Sequence, residues 1–109
     1  MSKLILKTNL ADNTFSVEQK TIDVPTNKIF TPDPVNLIIT PNNNYVLNVN
    51  DFITGGLPKI ISSIIFNQSN NNVIATVYFN SMKLKESFNS VYLPISGKSS
   101  LSVNSFVLN

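Results

Sequence analysis

The side chains that carry enzyme chemistry are few in this sequence. It contains neither histidine nor cysteine, so a serine–histidine pair and a thiolate nucleophile are ruled out, and the usual zinc ligands are missing. The carboxylates are scattered along the chain at Asp12, Glu18, Asp23, Asp33, Asp51 and Glu86. They form no recognisable acid–base pair. We therefore expect a protein that is not an enzyme and has no catalytic, cofactor-binding or metal-binding residues.

Amides and aromatic rings offer a different chemistry, which is the binding of sugars. A sugar ring stacks on an aromatic side chain, and neighbouring Asn side chains hydrogen-bond its hydroxyl groups. Most aromatic residues here fall in strand-like runs, where core packing explains them. Tyr92 could instead be a buried anchor whose hydroxyl bonds to the backbone. Tyr45 differs because it directly follows Asn42–Asn44. The sequence thus predicts one candidate glycan platform, formed by Asn43, Asn44 and Tyr45.

The elements that would position these residues are β-strands. The chain has 17 Asn, 13 Ser and 8 Thr, whose side chains compete for backbone hydrogen bonds and disfavour helix interiors. Ala and Glu, which favour helices, occur only twice each, whereas Val, Ile and Phe are plentiful. Short apolar runs separated by turn signals predict an all-β fold, an antiparallel β-sandwich.

The clearest predicted unit is a hairpin of residues 59–66 and 73–79, joined by residues 67–72. In its second strand Val73, Ala75, Val77 and Phe79 share one face, with Ile64 and Phe66 expected in the same core. The opposite face is also largely apolar, which predicts a central strand. Further strands are predicted over 35–40, 45–49, 90–95 and 101–108. A helical turn capped by Asn50 or Asp51 is also expected, followed by a loop over residues 54–58 in which Gly55 and Gly56 are free to take positive φ.

Prolines divide the predicted strands into two groups. Pro25, Pro32 and Pro34 lack the N–H that a ladder requires, which predicts an extended linker or edge over residues 25–34. We therefore expect an N-terminal arm and linker over 1–34 and a sandwich domain over 35–109. The arm strand consists of Lys3, Leu4, Ile5, Leu6 and Lys7. It either completes the sandwich or orders on a partner by adding its free edge, and we favour the second alternative.

Charge and hydropathy exclude two classes of partner. The net charge is +2, all cations are lysines, and no basic cluster occurs, so a nucleic-acid partner is not expected. No run approaches the roughly 18 apolar residues of a membrane span. The N-terminal apolar run of Leu4–Leu6 is too short for a signal peptide. We expect a chain that begins at its native methionine and acts without Sec export.

Turn and strand signals follow a recognisable order between residues 38 and 97. A proline-led turn precedes an aromatic residue, an Asp–Phe pair ends the next strand, and a long hairpin leads to an apolar strand that runs into a glycine. The corresponding segments are Ile39–Val46, Asn50–Phe52, Leu57–Pro58, Ile61–Phe66, Asn72–Val77 and Leu93–Lys98. This order resembles an immunoglobulin-like domain that recurs in structural proteins of marine tailed bacteriophages. Residues 1–34 lie outside the resemblance.

The resemblance implies a protein of the bacteriophage virion. A small separate copy with an arm is similar to a capsid decoration protein, made in the host cytoplasm and located on the capsid surface. Its expected partners are the major capsid protein or another virion protein, and it is expected to form a homo-oligomer on the particle. Two alternatives stay open, a carbohydrate-binding or adhesin-like module and a small tail or baseplate accessory subunit.

Overall fold

Nine β-strands and one short 3-10 turn form the regular structure in residues 2–8, 14–86 and 88–97, which this computed structural model describes. The 3-10 turn spans Val49–Asp51. The strands are β1 Ser2–Thr8, β2 Phe15–Val17, β3 Lys20–Val24, β4 Val35–Pro41, β5 Phe52–Thr54, β6 Ile61–Ser69, β7 Asn72–Phe79, β8 Phe88–Leu93 and β9 Ile95–Gly97.

The larger sheet has four strands in the order β2-β4-β7-β6, and all its neighbours are antiparallel. Strand β7 is an inner strand, as its two apolar faces predict. Val73, Ala75, Val77 and Phe79 are buried, while Ile64 and Phe66 of β6 are partly buried against the same core. The predicted phase of β7 is therefore confirmed.

The smaller sheet has the order β3-β1-β8. Strand β1 pairs antiparallel with β3 and parallel with β8, where Lys3 lies opposite Phe88 and Thr8 opposite Leu93. This parallel pair joins strands from opposite ends of the described chain. The short strands β5 and β9 form a separate antiparallel pair.

One hydrophobic core lies between the sheets. It combines Leu4, Leu6 and Val24 of the smaller sheet with Leu37 and Ile39 of the larger one, all fully buried. Aromatic rings fill one end, where the Phe52 ring meets Phe15 edge-on at 5.1 Å and Phe66 at 5.7 Å between centroids. The predicted all-β sandwich is confirmed.

The expectation of a free edge at Lys3–Lys7 is wrong. Strand β3 pairs with one edge of β1 over Ser2–Leu6, and β8 pairs with the other over Lys3–Thr8, so neither edge is free for a partner strand over residues 3–6. Leu4 and Leu6 are fully buried because the alternation of β1 directs them into the common core. The predicted boundary at residue 34 thus separates strands that share one core.

The segment around the prolines contacts the fold at two isolated bridges, and the chain turns between them at Asn27, where φ is 60°. Thr26 pairs with Leu84 in parallel, and Phe30 pairs with Met82 antiparallel. Phe30 and Met82 exchange both backbone hydrogen bonds at 2.8 Å. Strand-like pairing in this proline-rich stretch is therefore limited to Thr26 and Phe30, which both lie between Pro25 and Pro32.

Asparagine supplies the left-handed backbone in the described residues. Asn27, Asn43 and Asn70 have φ of 60°, 51° and 53°, while no described glycine has positive φ. Gly55 and Gly56 thus do not use the conformational freedom that glycine offers. The β6–β7 connection is also tighter than predicted, because Ser69 pairs with Asn72 and leaves a turn of only Asn70 and Asn71.

Three further expectations concern the segment before β5 and the C-terminal residues. No ladder forms over residues 45–48, so the predicted strand at 45–49 is wrong, and the helical turn begins earlier than expected, with Asn48 as its cap. The Asn48 side chain accepts a hydrogen bond from the Asn50 N–H at 2.9 Å. The predicted strand over 101–108 lies outside the described residues.

Candidate functional site

The three residues predicted as a glycan platform line one open recess. Asn43, Asn44 and Tyr45 border a cavity of about 330 Å³ at the end of β4. Asn43 adopts its left-handed conformation here, which reverses the chain after the strand. The Tyr45 N–H then donates to the Asn42 carbonyl at 3.1 Å and closes the turn.

The base of this turn is attached to β2. The Asn42 N–H donates to the Thr14 carbonyl at 2.9 Å, and the Ser16 hydroxyl donates to the Asn42 Oδ1 at 3.0 Å. The Asn42 side chain is thus engaged within the protein. By contrast, the exposed carboxamides of Asn43 and Asn44 make no hydrogen bond with any residue in the described part of the chain. Two amides are therefore left to face solvent beside the half-buried Tyr45 ring.

Gln68 of strand β6 fixes the chain that follows the recess, at Leu47 and Val49. Its Oε1 accepts from the Val49 N–H at 2.7 Å, and its Nε2 donates to the Leu47 carbonyl at 3.1 Å. The same Nε2 lies 2.8 Å from the Asn70 carbonyl in the β6–β7 turn. One carboxamide thus ties the loop to the hairpin. This explains why the loop keeps a defined path without ladder pairing, with Leu47 buried between exposed neighbours.

A second surface feature lies on the outer face of the larger sheet. Ile38 of β4 stands opposite Ile74 of β7, and Ile65 of β6 is diagonal to both Ile74 and Tyr78. Ile38, Ile65 and Tyr78 are 42%, 49% and 37% exposed. We call these four residues, Ile38, Ile65, Ile74 and Tyr78, the apolar stripe.

The border of the apolar stripe is polar. Uncharged neighbours on the same face are Asn36, Thr40, Ser63, Asn67 and Thr76. Beside β4 lies one ion pair: the Glu18 Oε1 accepts from the Ile38 N–H at 3.3 Å and is 3.9 Å from the Lys20 Nζ, which donates to the Asn36 carbonyl. Thr76 donates to the Asn36 Oδ1 at 2.8 Å, which satisfies these two side chains across the strands. An apolar centre inside a polar border is the anatomy of a protein–protein contact.

The residues predicted to bind a partner through β1 divide between two sides of its sheet. Leu4 and Leu6 point into the core, and the half-buried Lys3, Ile5 and Lys7 point outward. Lys3 pairs with Asp23 on β3. The Lys7 Nζ lies 4.9 Å from the Tyr92 ring centroid, a cation–π contact with β8. Tyr92 is half exposed and is not the buried anchor considered from the sequence.

The described residues contain no group of three or more His, Cys, Asp or Glu side chains that could hold a metal ion. Within that same part of the chain, no helix has the length and apolar character needed to cross a membrane. Comparison with protein-family models, with curated proteins and with solved structures gave no match.

Sequence reasoning found the recess residues but missed two features of the surface. Gln68 gave no signal, because its partners are backbone groups of Leu47 and Val49, distant in sequence. The alternation in β7 indicates the apolar stripe only in part: it places Ile74, Thr76 and Tyr78 on a second, largely apolar face of this strand. The exposure of that face depends on what covers the sheet, which a strand pattern does not specify.

Proposed function

We propose that this protein is a non-enzymatic structural protein of a bacteriophage virion, a capsid decoration protein that binds the major capsid protein or another virion protein. The apolar stripe is the observation that carries the proposal. It presents large apolar side chains on the outer face of the larger sheet, where they would be desolvated by a matching protein surface. A phage-type immunoglobulin-like resemblance over residues 38–97 supports the same class, and this range includes all four stripe residues.

The contact surface in this proposal differs from the one that the sequence favoured. Strand addition at β1 needs a free edge, and β1 has none over residues 3–6. Binding through the apolar stripe instead uses side chains and leaves the ladders unchanged. Decoration places many copies on one lattice, which agrees with the expected homo-oligomer on the particle. A tail or baseplate subunit would use the same kind of surface.

The test is co-sedimentation of the purified protein with capsids that lack it. We expect Ile65→Lys and Ile74→Lys each to weaken binding at least about tenfold, since a buried lysine without a partner costs more than the apolar contact that it replaces. Thr21→Lys is the matched control, because Thr21 is exposed on the outer face of the smaller sheet. Circular dichroism and thermal unfolding would verify that all three variants fold.

Binding that persists in both isoleucine variants would contradict the role of the apolar stripe. Binding by purified tails but not by capsids would move the protein to the tail or baseplate. Failure to bind either structure would overturn the virion proposal as a whole.

A further inference from the structure

The recess of Asn43, Asn44 and Tyr45 has the chemistry of a sugar site that is separate from the apolar stripe. All three lining side chains are uncharged, so the recess offers neither a counter-ion for an anionic ligand nor a carboxylate for a cation. Each carboxamide presents donors and acceptors together, which is what the hydroxyl groups of a sugar require. The Tyr45 ring adds an apolar surface for the C–H groups of a sugar ring.

The recess is already shaped before any ligand enters. The Ser16–Asn42 and Thr14–Asn42 hydrogen bonds fix its base, and Gln68 fixes the chain that leaves it. These contacts use Asn42 and Gln68 but leave the carboxamides of Asn43 and Asn44 free for a ligand. A loop that is ordered in advance loses less conformational entropy on binding, so a few polar contacts suffice for measurable affinity.

The chain contains a second asparagine-rich turn that serves as an internal comparison. Asn70 and Asn71 connect β6 and β7, and Asn70 has nearly the same φ as Asn43. The Asn70 carbonyl is already bonded to Gln68, and the next residues in the chain, Asn72 and Val73, include no aromatic ring. Both turns therefore contain an asparagine with left-handed backbone. The turn at Asn43 differs because its free side-chain amides lie next to an aromatic ring.

We propose that this recess binds the terminal ring of a neutral carbohydrate, with the Asn43 and Asn44 side chains hydrogen-bonded to its hydroxyl groups and the Tyr45 ring against its C–H face. The volume of about 330 Å³ lies at the lower end of the range for small-molecule sites, which suits one ring better than a buried chain of several. Because the recess is open to solvent, the expected Kd is about millimolar.

The experiment is an NMR titration of the ¹⁵N-labelled full chain with the methyl glycosides of glucose, galactose, mannose and N-acetylglucosamine. At about 50 mM glycoside, well above the expected Kd, at least one sugar should shift the side-chain amide signals of Asn43 and Asn44. The Asn70 and Asn71 side-chain signals are the internal reference and should stay in place. Glucuronate tests the role of charge and should bind no better than glucose.

Two variants locate the contact. Tyr45→Ala and Asn44→Ala should each raise the Kd at least about tenfold, while Asn71→Ala should leave it unchanged. Asn44 is exposed, so its variant keeps the test decisive if Tyr45→Ala unfolds. No shift with any glycoside, equal shifts at Asn70 and Asn71, or binding of glucuronate alone would each overturn the proposal. Because capsid binding is measured on different residues, either proposal can fail while the other stands.

Discussion

Phe79 and Tyr78 are adjacent residues that contribute to stability in different ways. Phe79 is 7% exposed and packs in the common core, whereas Tyr78 points outward in the apolar stripe. We expect Phe79→Ala to lower the free energy of unfolding by about 3–5 kcal/mol, because it removes a buried ring and leaves a cavity. Tyr78→Ala should cost clearly less. Urea denaturation of both variants measures the difference, and equal costs would show that the phase of β7 is misassigned.

Asn70 supports the two-residue turn between β6 and β7 because asparagine tolerates a left-handed backbone. Its φ of 53° lies in the left-handed region, which other side chains occupy at a cost of roughly 1–2 kcal/mol and glycine occupies freely. Asn70→Ala should therefore destabilise the protein by about 1 kcal/mol, and Asn70→Gly should be near neutral. Asn71→Ala, in the same turn but without positive φ, is the control. Equal denaturation midpoints for Asn70→Ala and Asn71→Ala would contradict this reasoning.

At the level of elements, local patterns predicted strands better than they predicted partners. The β6–β7 hairpin follows from two strand-like runs that are neighbours in sequence, and β7 shows its inner position through two apolar faces. The alternation over Tyr45–Val49 was misleading, because a loop tied by Gln68 also leaves Leu47 buried and Val46 exposed. The pairing of β1 with β8 has no local signal, since the two strands are almost a whole chain apart.

The recess illustrates the same limit for the candidate site. The spacing of Asn43, Asn44 and Tyr45 placed them in one turn, so their proximity could be predicted from the sequence. The engagement of Asn42 by Ser16, and of the loop by Gln68, comes from residues of other strands. Which amides are free and which are occupied was therefore beyond prediction.

The inner position of β1 predicts slow amide exchange there. The N–H groups of residues 4–6 belong to a strand with neighbours on both sides and with buried Leu4 and Leu6. We expect protection close to that of residues 73–79, because both segments open only when the sandwich opens. Hydrogen exchange followed by mass spectrometry or NMR gives the comparison. Fast exchange over residues 4–6 with a protected β7 would restore the arm as a separate unit.

For the whole molecule, the weak charge predicts that attachment to a particle depends little on salt. The net charge is +2, the side chains of the apolar stripe are uncharged, and the ionised Glu18 and Lys20 beside it pair with each other. Raising NaCl from about 50 to 500 mM should change the affinity less than about threefold, because screening acts mainly on exposed charges. Co-sedimentation across this series measures it. A steep loss of binding would point instead to a contact through the exposed lysines.

The parallel pairing of β1 with β8 also sets the order in which this chain acquires its structure during synthesis. Strand β1 is synthesised before the other described strands, yet the strand that covers its second edge is made only when residues 88–93 appear. Until then Leu4 and Leu6 belong to a half-covered strand. Contacts between such distant segments require a large loop to close, which slows folding. The nascent chain therefore has a long interval in which its first strand is open to association with other chains, and chaperone binding during translation should concentrate there.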